Sequence, residues 1–134
     1  PTIRFYEQKE GIQSVMTESL ACKEKFRRDF AAVDNLIEFL GLQFIQNHVQ
    51  ERMKRGIRVH SLRCAPHNNS TLHKKNWYLR DDNIETLREV RYLDASLHFD
   101  PVIFIYDSTV LVISSQKESF AFVIESKEHS DAMK

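Results

Sequence analysis

The chain has 134 residues, and its 19 basic and 19 acidic side chains cancel to no net charge. That length predicts one domain, and a domain of this size hides about two thirds of the surface its unfolded chain exposes, enough for a real core. A surface without net charge exerts no long-range pull on a polyanion and has no preference for anionic lipid, which excludes the chain itself as a DNA-contacting or membrane-surface module. The two cysteines, Cys22 and Cys64, are too few for a disulfide framework and imply a reducing, cytoplasmic setting. No run reaches the ~20 apolar residues of a membrane span, and no signal-peptide pattern opens the sequence. The chain starts at Pro1 without a methionine and stops at Lys134 inside an incipient helix, so residues 1–134 are read as one regulatory domain excised from a longer protein.

In chain order, Ile3 and Phe5 alternate with Arg4 as in a half-buried strand. Ile12, Val15, Met16 and Leu20 then share one face at helical spacing. Gly11 lies in the first turn of that helix, where a missing Cβ permits a left-handed turn or a close approach of backbone. Phe30-Ala31-Ala32-Val33 reads as a short buried strand, and Asp34 as the cap of a helix from Leu36 to Leu40. After Gly41 a second helical stretch runs from Leu42 to Arg55. Ile45, Val49 and Met53 are its core face, His48 is a packing histidine beside them, and the basic turn Lys54-Arg55 before Gly56 is a helix stop. Ile57, Val59 and Ser61 alternate with Arg58, His60 and Leu62 as the next strand.

Residues 64–82, CAPHNNSTLHKKNWYLRDD, form the longest loop, and long loops in compact domains are often functional. Strands are expected at Glu89–Leu93, Val102–Tyr106, Val110–Ser114 and Phe120–Glu125, with Asp107-Ser108-Thr109 as a hairpin turn. Early alternation of strand and helix predicts parallel βαβ units, and the later hairpins predict antiparallel strands added to the same sheet. The fold class is therefore α/β with a mixed sheet.

The ordered segments RFYEQKEGIQSV, FLGLQFIQNHVQERMKRGIRVHSL, LREVRYLD, VIFIYDSTVLVISS and FAFVIESKE resemble the effector domain of TrmB-type, sugar-sensing transcription regulators. The most specific pieces are Tyr6-x4-Gly11-Ile12, Arg52-x3-Gly56-Ile57-x-Val59 and Arg88-Glu89-x-Arg91-Tyr92-Leu93. The resemblance spans nearly the whole chain. It implies a phospholipase-D-like α/β half, an N-terminal winged helix in the parent protein through which DNA is bound, and a homodimer. It also implies a ligand-sensing or dimerising role, with a sugar or another small polar metabolite as ligand. The family's further C-terminal ligand-binding domain has no counterpart in these residues.

A phospholipase-D fold invites a search for the pattern His-x-Lys-x4-Asp, in which the histidine attacks phosphorus. His73-Lys74-Lys75 needs an aspartate at position 80; Arg80 stands there and Asp81 comes one place late. One imperfect copy, where such enzymes converge two, leads to the expectation of no catalytic residue and no cofactor, with a phosphodiesterase as the alternative. His60, Cys64, His67 and His73 could ligate zinc, but their spacing fits no standard structural zinc arrangement, so no metal is expected. Trp77-Tyr78 after Lys74-Lys75 reads as a loop pair folded onto the core rather than a base-stacking platform. In open α/β sheets ligands settle beyond the carboxyl ends of parallel strands. The candidate ligand site is therefore Arg63, holding an anionic or hydroxyl-rich group, with His67, Asn68 and Asn69 as hydrogen-bonding partners; the alternatives are an ordinary solvated loop and a scaffold that only pairs subunits.

Overall fold

In a computed structural model of the chain, residues 2–31, 33–63, 87–93, 101–114 and 120–134 are described. The strands are β1 (Thr2–Glu7), β2 (Phe26–Ala31), β3 (Arg58–Arg63), β4 (Arg88–Tyr92), β5 (Val102–Tyr106), β6 (Thr109–Ile113) and β7 (Phe120–Glu125). The helices are α1 (Gln8–Glu18), α2 (Val33–Leu40), α3 (Leu42–Lys54) and α4 (Lys127–Met133), with a 3-10 turn at Ser19–Ala21. All seven strands join one mixed sheet in the order β1-β7-β6-β5-β2-β3-β4. Strands β2, β3 and β4 run parallel, while β5, β6, β7 and β1 add in antiparallel fashion. The mixed α/β sheet is thus the expected one, including the β5–β6 hairpin.

Strand alternation sorts the two faces. On one face Val102, Phe104 and Tyr106 of β5, Leu111 and Ile113 of β6 and Ala121 and Val123 of β7 form the core with Ile12, Val15 and Met16 of α1, Leu36, Ile37 and Leu40 of α2 and Ile45 and Val49 of α3. Ile12 and Val15 are fully buried, and each such side chain stabilises the fold by about 1.5–3 kcal/mol. Met53, expected in the core, is partly buried against it. The opposite face is crossed by α4 over β5 and β6.

Four expectations are corrected. The first strand is not part of a parallel βαβ unit: β1 pairs antiparallel with β7 at the far edge, where Phe5 meets Phe122 with ring centroids 6.1 Å apart and Arg4 bonds Glu125 at 2.7 Å. Helix α1 packs on β1 and β7, and the chain crosses the sheet before entering β2. Secondly, the strand expected at Phe30–Val33 spans Phe26–Ala31, and Val33 opens α2. Its six-residue pairing with β3 recruits Arg27 and Asp29, whose charge hides them from a hydrophobicity pattern. Thirdly, Asp34 falls inside α2, not at a cap position before Leu36. Lastly, Gly11 has no left-handed backbone. The residue that turns strand into helix is Gln8, at φ 61°, while a Cβ at Gly11 would meet Tyr6 Cβ at an ordinary 3.6 Å.

Gly41 does need its hydrogen. At φ 92° it separates α2 from α3 in a conformation that costs any residue with a Cβ. At the β5–β6 turn Asp107 sits at φ 49°, and its carboxylate accepts from the backbone N–H groups of Lys23 and Glu24 at 2.9 and 3.0 Å, tying the hairpin to the entrance of β2.

Because Gly11 is a helix-interior glycine without a steric demand, Gly11→Ala is expected to raise stability by about 0.5–1 kcal/mol through helix propensity. Urea unfolding would measure it, and a loss of stability would show that Tyr6 cannot tolerate the methyl group.

Candidate functional site

The helix-covered face changes chemistry between β5 and β2. Beyond the Phe104 ring, polar side chains join Val59 and Val90 at the inward positions: Arg27 and Asp29 on β2, Ser61 and Arg63 on β3, and Arg88 on β4, all buried. Helix α3 contributes His48 and Arg52, one turn apart, from its core-facing side. Arg52 is only 1% exposed.

Phe104 is the boundary. The Arg27 guanidinium lies 4.0 Å from its ring centroid, a cation–π contact, and the His48 ring stacks on it at 6.5 Å. Arg27 Nη1 donates to Ser19 Oγ at 3.3 Å and to His48 Nε2 at 3.0 Å. Since a guanidinium only donates, Nε2 is the bare nitrogen and the imidazole proton sits on Nδ1. Arg27 Nε lies 3.9 Å from Asp29 Oδ2, and Ser61 Oγ donates to Asp29 Oδ1. Arg63 Nε donates in turn to Ser61 Oγ at 3.4 Å, and Arg52 Nη1 donates to the Ile57 carbonyl at 2.8 Å. Within this cluster, Arg27 Nε and His48 Nδ1 are buried without a hydrogen-bond partner among the described residues.

Among the described residues, four buried guanidiniums therefore gather around one buried carboxylate. The electrostatics follow from this. Burial, opposed by Asp29, lowers Arg27 from its ordinary value. Burial, reinforced by Arg27, brings Arg52 down to about 10. Burial, then the charges of Arg63 and Arg52, bring Arg88 down to about 9. At those values Arg52 and Arg88 remain cationic at neutral pH. His48 is held well below 6.5, first by desolvation and then by the charges of Arg27 and Arg52, so it is neutral there.

Guanidinium forks match carboxylate and phosphate oxygens two at a time. A cluster of them at low dielectric is chemically a receptor for an anion. No group of three or more His, Cys, Asp or Glu side chains is placed to hold a metal ion among the described residues.

Of the residues singled out from sequence, Arg63 enters the cluster at the end of β3, as its strand position implies. His67, Asn68 and Asn69 lie outside the described residues, as do Cys64, His73, Lys74, Lys75, Trp77 and Tyr78. His60 points to the other face and meets Glu89 at 3.2 Å. His48, read as a packing histidine, is buried against Phe44 and Phe104 but also belongs to the polar cluster. Arg27, Asp29, Arg52 and Arg88 were missed. The available signal was parity: Arg27-x-Asp29 and Ser61-x-Arg63 occupy the alternation positions that point to a core, and Arg52 follows His48 at i+4.

The neutral, buried His48 makes stability depend on pH. The unfolded chain takes up a proton near pH 6.5 and the folded one does so only well below it. Stability is therefore complete above about 6.5 and falls as pH drops toward the folded value. His48→Leu is expected to flatten this dependence between pH 6.5 and 5, while costing about 1–3 kcal/mol at pH 7.5 because Arg27 loses a buried acceptor. Urea unfolding across that pH range checks both; an unchanged slope would mean His48 is not the group that titrates.

No protein-family model and no curated protein matches this chain.

Proposed function

We infer that residues 1–134 form the sensing domain of a TrmB-type transcription regulator, without catalysis of its own, and that its ligand is a small metabolite carrying an anionic group. One observation supports the ligand class: the convergence of Arg27, Arg52, Arg63 and Arg88 around Asp29 from three parallel strands and one helix. Burial first, and then mutual repulsion, lowers Arg52 and Arg88, and an anion brought among these side chains relieves the second. A sugar phosphate or a carboxylic acid suits such a receptor better than a neutral sugar. The mixed sheet, with three helices on one face, accords with a phospholipase-D-like half. The sensing mechanism is a shift between two dimer arrangements that contact the ligand differently, passed to winged helices on paired DNA half-sites in the cytoplasmic parent protein.

The ligand reading is tested by thermal unfolding of the chain with inorganic phosphate, citrate, glucose 6-phosphate and glucose. A ligand at 100 times its Kd adds about 2.7 kcal/mol, which for a domain of this size raises Tm by about 10 °C. The expectation is such a rise with at least one of the anions, none with glucose, and its loss in Arg63→Gln. No rise with any anion would leave the cluster a purely structural one.

A second reading, a domain that mainly pairs subunits, is favoured by edge strand β1, where Ile3 is 61% and Phe5 72% exposed. An open edge with apolar side chains is a template for pairing. Sedimentation is expected to show a dimer that Phe5→Lys dissociates; a wild-type chain that stays monomeric at high concentration would remove the pairing role.

A further inference from the structure

The sheet face turned away from α1, α2 and α3 carries an open groove of about 310 Å³. Its origin is the same strand alternation that builds the arginine cluster behind it. Residues between the inward positions, Phe30 of β2, Leu62 of β3 and Ile105 of β5, turn outward and give an apolar floor. Helix α4 lies over β5 and β6, and its Met133 forms a wall of the groove. The volume falls at the lower end of the range of small-molecule sites.

The rim is charged, and its charges can be followed one at a time. His60 and Arg91 both face Glu89, at 3.2 and 3.8 Å. Lys134 lies 3.5 Å from Glu24 and 3.7 Å from Asp131, and donates to the Asp107 carbonyl at 2.9 Å. Arg28 is different. Its guanidinium lies 4.7 Å from the Phe26 ring centroid, and no carboxylate among the described residues is within 4.0 Å of it. A half-buried, ring-stacked guanidinium has its planar fork held in place before any partner arrives, so less freedom is lost when an anion binds. Beside it, the apolar floor favours hydrocarbon over water.

We propose that this groove is a second binding site, for a small amphipathic monoanion. Its carboxylate pairs with Arg28, and its aliphatic or aromatic body lies on Phe30, Leu62 and Ile105 against Met133. Among the described rim residues Arg28 is the one cation without a carboxylate partner, and with Glu89 across the rim this selects one negative charge over the several of a polyphosphate. The site lies on the opposite side of the sheet from the side chains of Arg27, Arg52, Arg63 and Arg88, and Asp29 and Ser61 line it from the strands the two sites share.

The test uses the whole chain with 13C-labelled isoleucine and methionine methyl groups, titrated with octanoate and, separately, octan-1-ol. Octanoate is expected to produce saturable shifts at Ile105 and Met133. The alcohol should bind at least tenfold more weakly. Arg28→Gln should weaken octanoate binding at least tenfold, and so should Met133→Glu, which places a carboxylate in the groove from a helix end that is already 39% exposed. The proposal is overturned by the absence of saturable shifts, by equal affinity for the alcohol, or by indifference to both variants. It is overturned also by Ile105 and Met133 shifts that change with protein concentration alone, which would mean that a second copy of the chain fills the groove. A thermal response to phosphate without octanoate shifts would sink this site and leave the anion-sensing reading standing.

Discussion

The interaction on which the rest of this structure depends is the hold of the Asp29 carboxylate on its basic surroundings. Removing a charge from water costs several kcal/mol even after the protein relaxes, and this small domain does so for Arg27, Arg52, Arg63 and Arg88 together. Asp29 is positioned by the Ser61 hydroxyl and faces Arg27; Ser61 in turn accepts from Arg63. Loss of that carboxylate would leave the burial of Arg27 without the charge that opposes its cost. A neutral His48 contributes an acceptor without adding a further charge, which is why its depressed basicity is part of the design.

Such a cluster is tolerable because the sheet divides its labour. Strands β5, β6 and β7 meet α1 with aliphatic side chains, and that half carries the hydrophobic stabilisation. Strands β2, β3 and β4 give most of their inward positions to polar groups instead, with Val59 and Val90 between them. Phe104 joins the halves, presenting one ring to the Arg27 guanidinium and to the His48 imidazole. Helix α3 mirrors the division, with Ile45 and Val49 in the apolar core and His48 and Arg52 in the polar cluster. An apolar replacement of equal volume is often no less stable than a buried ionic network, so retaining charged side chains here points to a use beyond packing.

Much of the architecture could be read from the chain because it rests on local signals. The period of β3, the hairpin at Asp107, the basic turn before Gly56 and the β5–β7 run of alternating aliphatics all report on neighbours a few residues away. Strand β1 shows the limit. Its alternation specifies a strand, but Ile3 and Phe5, read as its buried side, are exposed, and nothing in them says that the partner is β7, between 113 residues (Glu7 with Phe120) and 123 residues (Thr2 with Glu125) further on. Gly11 shows a different limit: glycine permits a left-handed turn, but the turn was made by Gln8.

The sequence by itself determined a mixed α/β domain, its helix stops, and Arg63 as a residue at the end of a parallel strand, because period, capping and turn chemistry act over one or two turns of chain. Only the tertiary structure decided that Arg63 shares its surroundings with Arg27, Asp29, Arg52 and Arg88, and that Arg28 lies against Phe26 at the rim of an apolar floor. Those groupings arise from strand order and register across β2, β3 and β4, which bring together side chains tens of residues apart. No local rule distinguishes an arginine that will be solvated from one that the sheet will enclose.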